Sequence, residues 1–267
     1  MEQVTSTDRL ALTPDMLWNI DHYREQGLYF YLEATQELLP NGRVNVINYG
    51  EMIMLGGYSY LGLIGHPKIN AAAKAAIDHY GTGTYGVRLL AGSLKLHNEL
   101  EARIAEFKHA DAAITMSSGY VTNLATISSL LRKGDTVICD KLNHASIVDG
   151  CLLSMAKFVR FRHNDMEHLE LRLQQADKNG RVLVIADSVF SMDGDIINLP
   201  EVSRLCKKYG AYLMIDEAHS VGVIGETGHG IEEHFGMPAD TIDIKMGTLS
   251  KTIPSAGGYV AGNHKLI

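Results

Sequence analysis

Cysteine is scarce. The three present, Cys139, Cys151 and Cys206, are widely spaced and form no C-x-x-C pair, so neither a disulfide framework nor a zinc site is signalled. They read as small core residues. Basic charge is also short: 24 Lys and Arg against 31 Asp and Glu leave a net charge of −7. That balance argues against nucleic acid as an obligatory partner, because a phosphate backbone needs a basic face. No apolar run approaches the roughly 20 residues needed to span a bilayer. The polar start Glu2-Gln3-Val4-Thr5-Ser6-Thr7-Asp8 lacks the basic and apolar regions of a secretory signal, so a reducing, cytoplasmic setting is expected. Two glycine motifs are missing or out of place as well. No Gly-Lys pair occurs, which removes the phosphate loop G-x-x-x-x-G-K-[ST] of nucleotide-hydrolysing motors. No G-x-G-x-x-G follows a first strand, which removes the dinucleotide fingerprint.

What is present is alternation. Across residues 8–39, Leu10, Leu17, Ile20, Tyr23, Leu28, Phe30, Tyr31, Leu32 and Leu38 fall at helical spacing and predict an amphipathic arm. A hairpin is expected next, with strands at 44–49 and 52–55 around Gly50-Glu51. Residues 1–60 form this N-terminal part and 61–267 the main domain. His66-Pro67 opens a helix with proline at its start, and helical period returns over 94–107. From there strands at 112–116, 136–139, 158–161, 182–186 and 211–215 alternate with helices at 119–131, 145–154, 166–176 and 200–209. Continuous apolar strands between amphipathic helices indicate an α/β domain with a mainly parallel sheet covered on both faces.

In open α/β sheets ligands bind beyond the carboxyl ends of the strands. The residues at those strand ends form a coherent set. Ser117-Ser118-Gly119-Tyr120 opens a helix whose free amides suit a phosphate. Asn143-His144-Ala145-Ser146 follows the next strand, and Asp187 with Ser191-Met192-Asp193-Gly194 follows a third. Asp216-Glu217-Ala218-His219 ends a buried strand. Gly247-Thr248-Leu249-Ser250-Lys251-Thr252 places a lysine among small and hydroxyl residues, which suits an amine that forms a Schiff base. A phosphate seat, a carboxylate and a reactive lysine together point to pyridoxal phosphate (PLP), with Asp216 as partner of the pyridine nitrogen. No metal site is indicated.

These motifs resemble the α-oxoamine synthases, fold-type-I PLP enzymes (the aspartate-aminotransferase-like large domain, with a seven-stranded type of sheet). The resemblance rests on the motifs around His144, Ser191, Asp216 and Lys251, in order. The loops Gly57-Tyr58-Ser59-Tyr60-Leu61-Gly62 and Phe161-Arg162-His163-Asn164-Asp165-Met166 are most similar to the serine palmitoyltransferase branch. The resemblance implies decarboxylative condensation of a small amino acid, L-serine favoured, with an acyl-CoA or acyl-carrier thioester, in a homodimer. It implies that Lys251 binds the cofactor aldehyde and moves the α-proton, that Asp216 pairs with the ring nitrogen, and that His144 stacks on the ring. His219 and Ser191 would contact the ring oxygen, and Ser118, Gly119, Tyr120, Thr248 and Ser250 the phosphate. An aminotransferase or lyase on the same fold, or a non-catalytic subunit, is the alternative. Three departures stand out: Asp187 where relatives carry Glu, a bulkier segment at 84–92, and a chain that stops before the family's small C-terminal domain with its substrate-carboxylate arginine.

Overall fold

The computed structural model describes residues 20–29, 32–177 and 179–267. The chain divides into two compact units, residues 1–56 and 57–267.

The first unit holds a short helix, α1 (Ile20–Glu25), and a three-stranded antiparallel sheet of β1 (Thr35–Leu39), β2 (Arg43–Val46) and β3 (Gly50–Ile53). The expected amphipathic helix does not extend to Leu38, since residues 35–39 are a strand paired with β2. The cause is local. Asn41 and Gly42 turn the chain with φ of 62° and 71°, the paired left-handed conformation that tightens a hairpin and that Asn-Gly favours. The second turn also moves: it lies at 47–49, with Asn48 at φ 72°, and Gly50 and Glu51 already belong to β3. Leu10, Leu17, Phe30 and Tyr31, on which the helical expectation partly rests, lie outside the described residues.

The second unit opens with α2 (Pro67–Tyr80) and α3 (Lys95–Phe107). It continues through β4 (Ala112–Met116), α4 (Gly119–Leu130), β5 (Thr136–Asp140), α5 (Ala145–Leu153), β6 (Lys157–Phe161) and α6 (Met166–Gln174). Next come β7 (Val182–Asp187), α7 (Leu199–Tyr209), β8 (Tyr212–Asp216), α8 (Ile231–His234), β9 (Ile244–Thr248) and β10 (Gly258–Gly262). The seven strands β4 to β10 form one sheet in the order β4-β10-β9-β8-β7-β5-β6. Every pairing from β9 to β6 is parallel, while β10 runs against both β4 and β9.

Pleating explains why the strands read as unbroken apolar runs. Val137 and Cys139 pack on one face with Ile127 and Ile147, whereas Ile138 between them packs on the other with Leu169 and Val202. Leu183 and Ile185 alternate with Val184 and Ala186 in the same way. Both faces are covered, so polar side chains are confined mostly to the strand ends; Lys245, buried inside β9, is paired with Glu232 at 2.8 Å. Each fully buried aliphatic such as Ile185 contributes about 1.5–3 kcal/mol. The carboxyl ends of β4, β5, β7, β8 and β9 therefore share one edge, where the sequence turns from apolar to reactive.

Candidate active site

A cavity of about 260 Å³ opens at that edge. Its first wall is the start of α4. Ser118 caps the helix, its Oγ accepting the Val121 amide at 3.1 Å while its carbonyl accepts the Thr122 amide at 2.9 Å. Helix geometry leaves the first amides, those of Gly119 and Tyr120, without intrahelical partners and facing outward. Thr248 and Ser250 close this corner with hydroxyls 2.9 Å apart. Backbones meet tightly here: a Cβ on Gly119 would lie 3.1 Å from Thr248 Oγ1, and one on Gly258 would lie 2.9 Å from Gly119 Cα and 2.5 Å from Thr122 Oγ1. Gly258→Ala is expected to cost about 1–3 kcal/mol of stability through overpacking and to disturb the α4 start, measurable as a lower denaturant midpoint and weaker anion binding.

The second wall is acidic. Asp216, at the end of β8, accepts from Asn123 Nδ2 at 2.8 Å through one oxygen and from the Ala218 amide at 2.9 Å through the other. The same Asn123 amide reaches Ser146 Oγ at 2.9 Å, and that hydroxyl lies 2.7 Å from His144 Nδ1. A continuous set of bonds thus runs from the carboxylate to the His144 ring. Asp187 stands beside Asp216, in register on the neighbouring strand. Burial, then the Asp216 charge, raise its pKa well above the usual carboxylate range. One of its oxygens accepts the His144 amide at 3.3 Å, and the other has no partner among the described residues. Just behind Asp216, Glu217 pairs with Lys108 at 2.7 Å and accepts the Ile231 amide at 3.1 Å, both side chains being buried, which pins the turn after β8.

The third wall carries the lysine. Lys251 Nζ lies 2.8 Å from His219 Nε2 and 5.4 Å from the centroid of the Tyr58 ring. His219 Nδ1 lies 2.7 Å from the Tyr60 hydroxyl. Burial lowers the Lys251 pKa, although the charges of Asp216 and Asp187 pull the other way. Burial, then the Lys251 charge, push His219 down to about 4, so its ring is neutral near neutral pH and can face the amine.

Nine of the ten sequence-predicted residues line this single cavity: Ser118, Gly119, Tyr120, His144, Asp216, His219, Thr248, Ser250 and Lys251. Ser191 does not; it is exposed in the loop after β7 and absent from the lining. Tyr120 also contributes through its hydroxyl, which donates to Asp149. Asn123 belongs to the site but stands in none of the sequence motifs. Its signal was an amide side chain one helical turn beyond Gly119, on the buried face that it shares with Thr122, Thr126 and Ile127.

A profile described as "Aminotransferase class I and II" matches residues 50–267. The chain belongs to the aminotransferase class I and II family. Within that family it is 45% identical over 256 residues to 8-amino-7-oxononanoate synthase of Geobacter sulfurreducens, an alignment that covers 96% of this chain and 65% of the relative. It is 40% identical to serine palmitoyltransferase of Sphingobacterium spiritivorum, over 93% of this chain and 61% of the relative. Both are α-oxoamine synthases. Among solved structures, serine palmitoyltransferase from S. paucimobilis with bound PLP and myriocin superimposes with a TM-score of 0.88 at 37% identity, covering 92% of this chain and 61% of that one. The class I and II fold seen here is that of the fold-type-I PLP transferases, and the chain spans under two thirds of the length of these relatives. Among the described residues no helix is long and apolar enough to cross a membrane, and no group of His, Cys, Asp and Glu could hold a metal ion.

Proposed function

We propose that this chain is the cofactor-binding part of an α-oxoamine synthase, a PLP-dependent acyltransferase that condenses a small amino acid, L-serine favoured, with an acyl thioester and releases carbon dioxide. The observation that carries the reading is the meeting of Lys251, Asp216 and the free α4 amides in one cavity. The residues present fit the cofactor. The α4 start at Ser118, Gly119 and Tyr120 lines the cavity together with the hydroxyls of Thr248 and Ser250, which suits an anion. Asp216 has its two protein donors on separate oxygens, so acceptor capacity remains for a protonated ring nitrogen.

Gly119, Tyr120, Thr248 and Ser250 hold the phosphate in this reading, Asp216 the ring nitrogen, and His144 the ring. Pyridoxal phosphate, when bound, supplies an aldehyde for the amine and an electron-accepting ring for the pair left on the α-carbon. Lys251 does the proton work at Nζ. Its lowered pKa keeps more of it unprotonated and able to take the α-proton, and His219, neutral and 2.8 Å away, orients that amine. The Asn123–Ser146–His144 bonds hold the ring wall and the carboxylate at fixed spacing.

The partners follow from this reading: an amino acid, a CoA or carrier-protein thioester, and a second copy of the chain. The loop at 84–92 leaves Tyr85, Leu89 and Leu90 almost wholly exposed, which supports association. The three buried free cysteines suit a cytoplasmic setting. The test is incubation with L-serine and an acyl-CoA. Equimolar carbon dioxide and free thiol are expected, with light scattering of the same sample reporting the dimer. Amino-group transfer to a keto acid without thiol release would overturn the proposal.

A further inference from the structure

The connection from β6 to α6 touches no part of the cavity, yet it ties together two of the loops that do. β6 is the outermost strand of the sheet, and its trailing residues reach back over the carboxyl edge. His163 Nδ1 lies 2.9 Å from Asp140 Oδ1, and its Nε2 lies 2.9 Å from Asp195 Oδ2. Asn164, held in the left-handed region at φ 49°, adds three bonds. Its amide donates to Asp140 Oδ2 at 2.8 Å, its Nδ2 donates to the Ile196 carbonyl at 3.1 Å, and its Oδ1 accepts the Asn198 amide at 3.1 Å. Asp165 then caps α6 by accepting the His168 amide at 2.8 Å. Phe190, fully buried, meets the His163 ring edge-on at 4.5 Å between centroids.

Asp140 is the last residue of β5 and begins the loop that presents His144. Its Oδ1 also accepts the Leu142 amide at 2.8 Å, so the carboxylate shapes that loop from inside. Asp195 belongs to the loop after β7, which presents Val189 to the cavity and returns through Ile197 to Ser188. The two loops therefore meet at one imidazole. Ionised carboxylates only accept hydrogen bonds, so a ring held between two of them must donate from both nitrogens. Such a ring is an imidazolium.

We infer that His163 is a positioning residue: as an imidazolium clamped between Asp140 and Asp195, it sets the placement of His144 over the cavity. The charged groups facing it are Asp140 from β5 and Asp195 from the β7–α7 loop; on its own connection, Arg162 and Asp165 pair with each other at 2.7 Å. Burial alone would lower the His163 pKa, and the bonds and charges of Asp140 and Asp195 outweigh it and raise it above the usual imidazole value. A histidine raised in the folded state holds its full tie below its unfolded pKa and loses it as pH rises through the folded one. The clamp is thus complete in mildly acidic solution, below the ordinary imidazole pKa, and opens as pH rises through the raised one.

What His144 faces rests on the proposed function; the clamp itself does not. Amide hydrogen exchange, read by mass spectrometry on the chain with and without pyridoxal phosphate, tests it. His163→Gln is expected to speed exchange roughly tenfold in 140–146 and 188–197, the size of one lost charge-assisted hydrogen bond, and to leave β8 and β9 unchanged. Combining His163→Gln with Asp195→Asn lets two neutral amides bond to each other, so protection returns and no longer depends on pH. Nitrogen-15 spectra of the unmodified chain through a pH series are expected to show protons on both His163 nitrogens in mildly acidic solution, lost only above the ordinary imidazole range, a readout that needs no variant to fold. A neutral His163 ring, unchanged exchange in 140–146, or a double variant as open as the single one would each overturn the inference. Failure of the chain to bind pyridoxal phosphate, with the exchange pattern intact, would remove the functional reading and leave the clamp standing.

Discussion

Lys251→Ala is expected to abolish covalent retention of pyridoxal phosphate and to lower turnover by at least about a thousandfold, within the range for loss of a positioned acid–base group. Borohydride reduction of the unmodified chain should attach the cofactor to the peptide containing Lys251, and the variant should carry no such mass. A second consequence separates this residue from a merely structural lysine. His219 sits at about 4 because of burial first and then the Lys251 charge beside it. Removing that charge should move His219 back up toward the ordinary imidazole range, which a ring-proton titration would detect. An unchanged His219 titration, or retained covalent cofactor, would dismiss Lys251 as the reactive amine.

Replacing Asp216 has two effects that different substitutions pull apart. Asp216→Ala leaves the Ala218 amide without its acceptor and takes from Asn123 one of its two, inside a buried wall. Each donor left unmet costs about 1–3 kcal/mol, so the alanine variant should melt at distinctly lower temperature. Asp216→Asn keeps the shape and one acceptor, so it should lose much less stability. Both remove the negative charge, and both should lower kcat by about 100- to 1,000-fold, the scale for losing one preorganised electrostatic contact. Thermal melts and steady-state rates on the pair check this. An asparagine variant with full activity would show that the charge is not used.

Much of the sheet is legible in the sequence because both of its faces are covered. The run 182–186 contains no polar residue, and the strands end where the chain reaches the open edge, at Asp140, Asp187, Asp216 or Thr248. The reactive residues are therefore legible too, as the first polar positions past each apolar run. Residues 35–39 were harder. Leu28, Leu32 and Leu38 satisfy a helical period, but the Asn41-Gly42 turn joins that segment to β2, and pairing with a partner strand overrides spacing. Nor could the sequence show that Asn123 bonds to Asp216, 93 positions away, since only the folded sheet brings α4 over β8. Ser191 shows the opposite limit: two positions past the lining residue Val189, it is exposed and absent from the cavity lining.

The reversed strand β10 bears on how the chain assembles. β4 has β10 as its one neighbour in the sheet, with Met116 opposite Gly258 and Ala112 opposite Gly262. β4, the strand that leads into α4, is the first of this sheet to be synthesised; its Thr115 amide meets Glu101 Oε1 at 2.7 Å, but its ladder must wait for the last described strand. Pairings so distant in sequence are slow to close, because the chain entropy is spent before the contacts form. β5 to β9 pair among themselves and can form a nucleus first. The Gly119–Gly258 contact is then a late event in folding, and binding competence should appear after most of the sheet has already become protected.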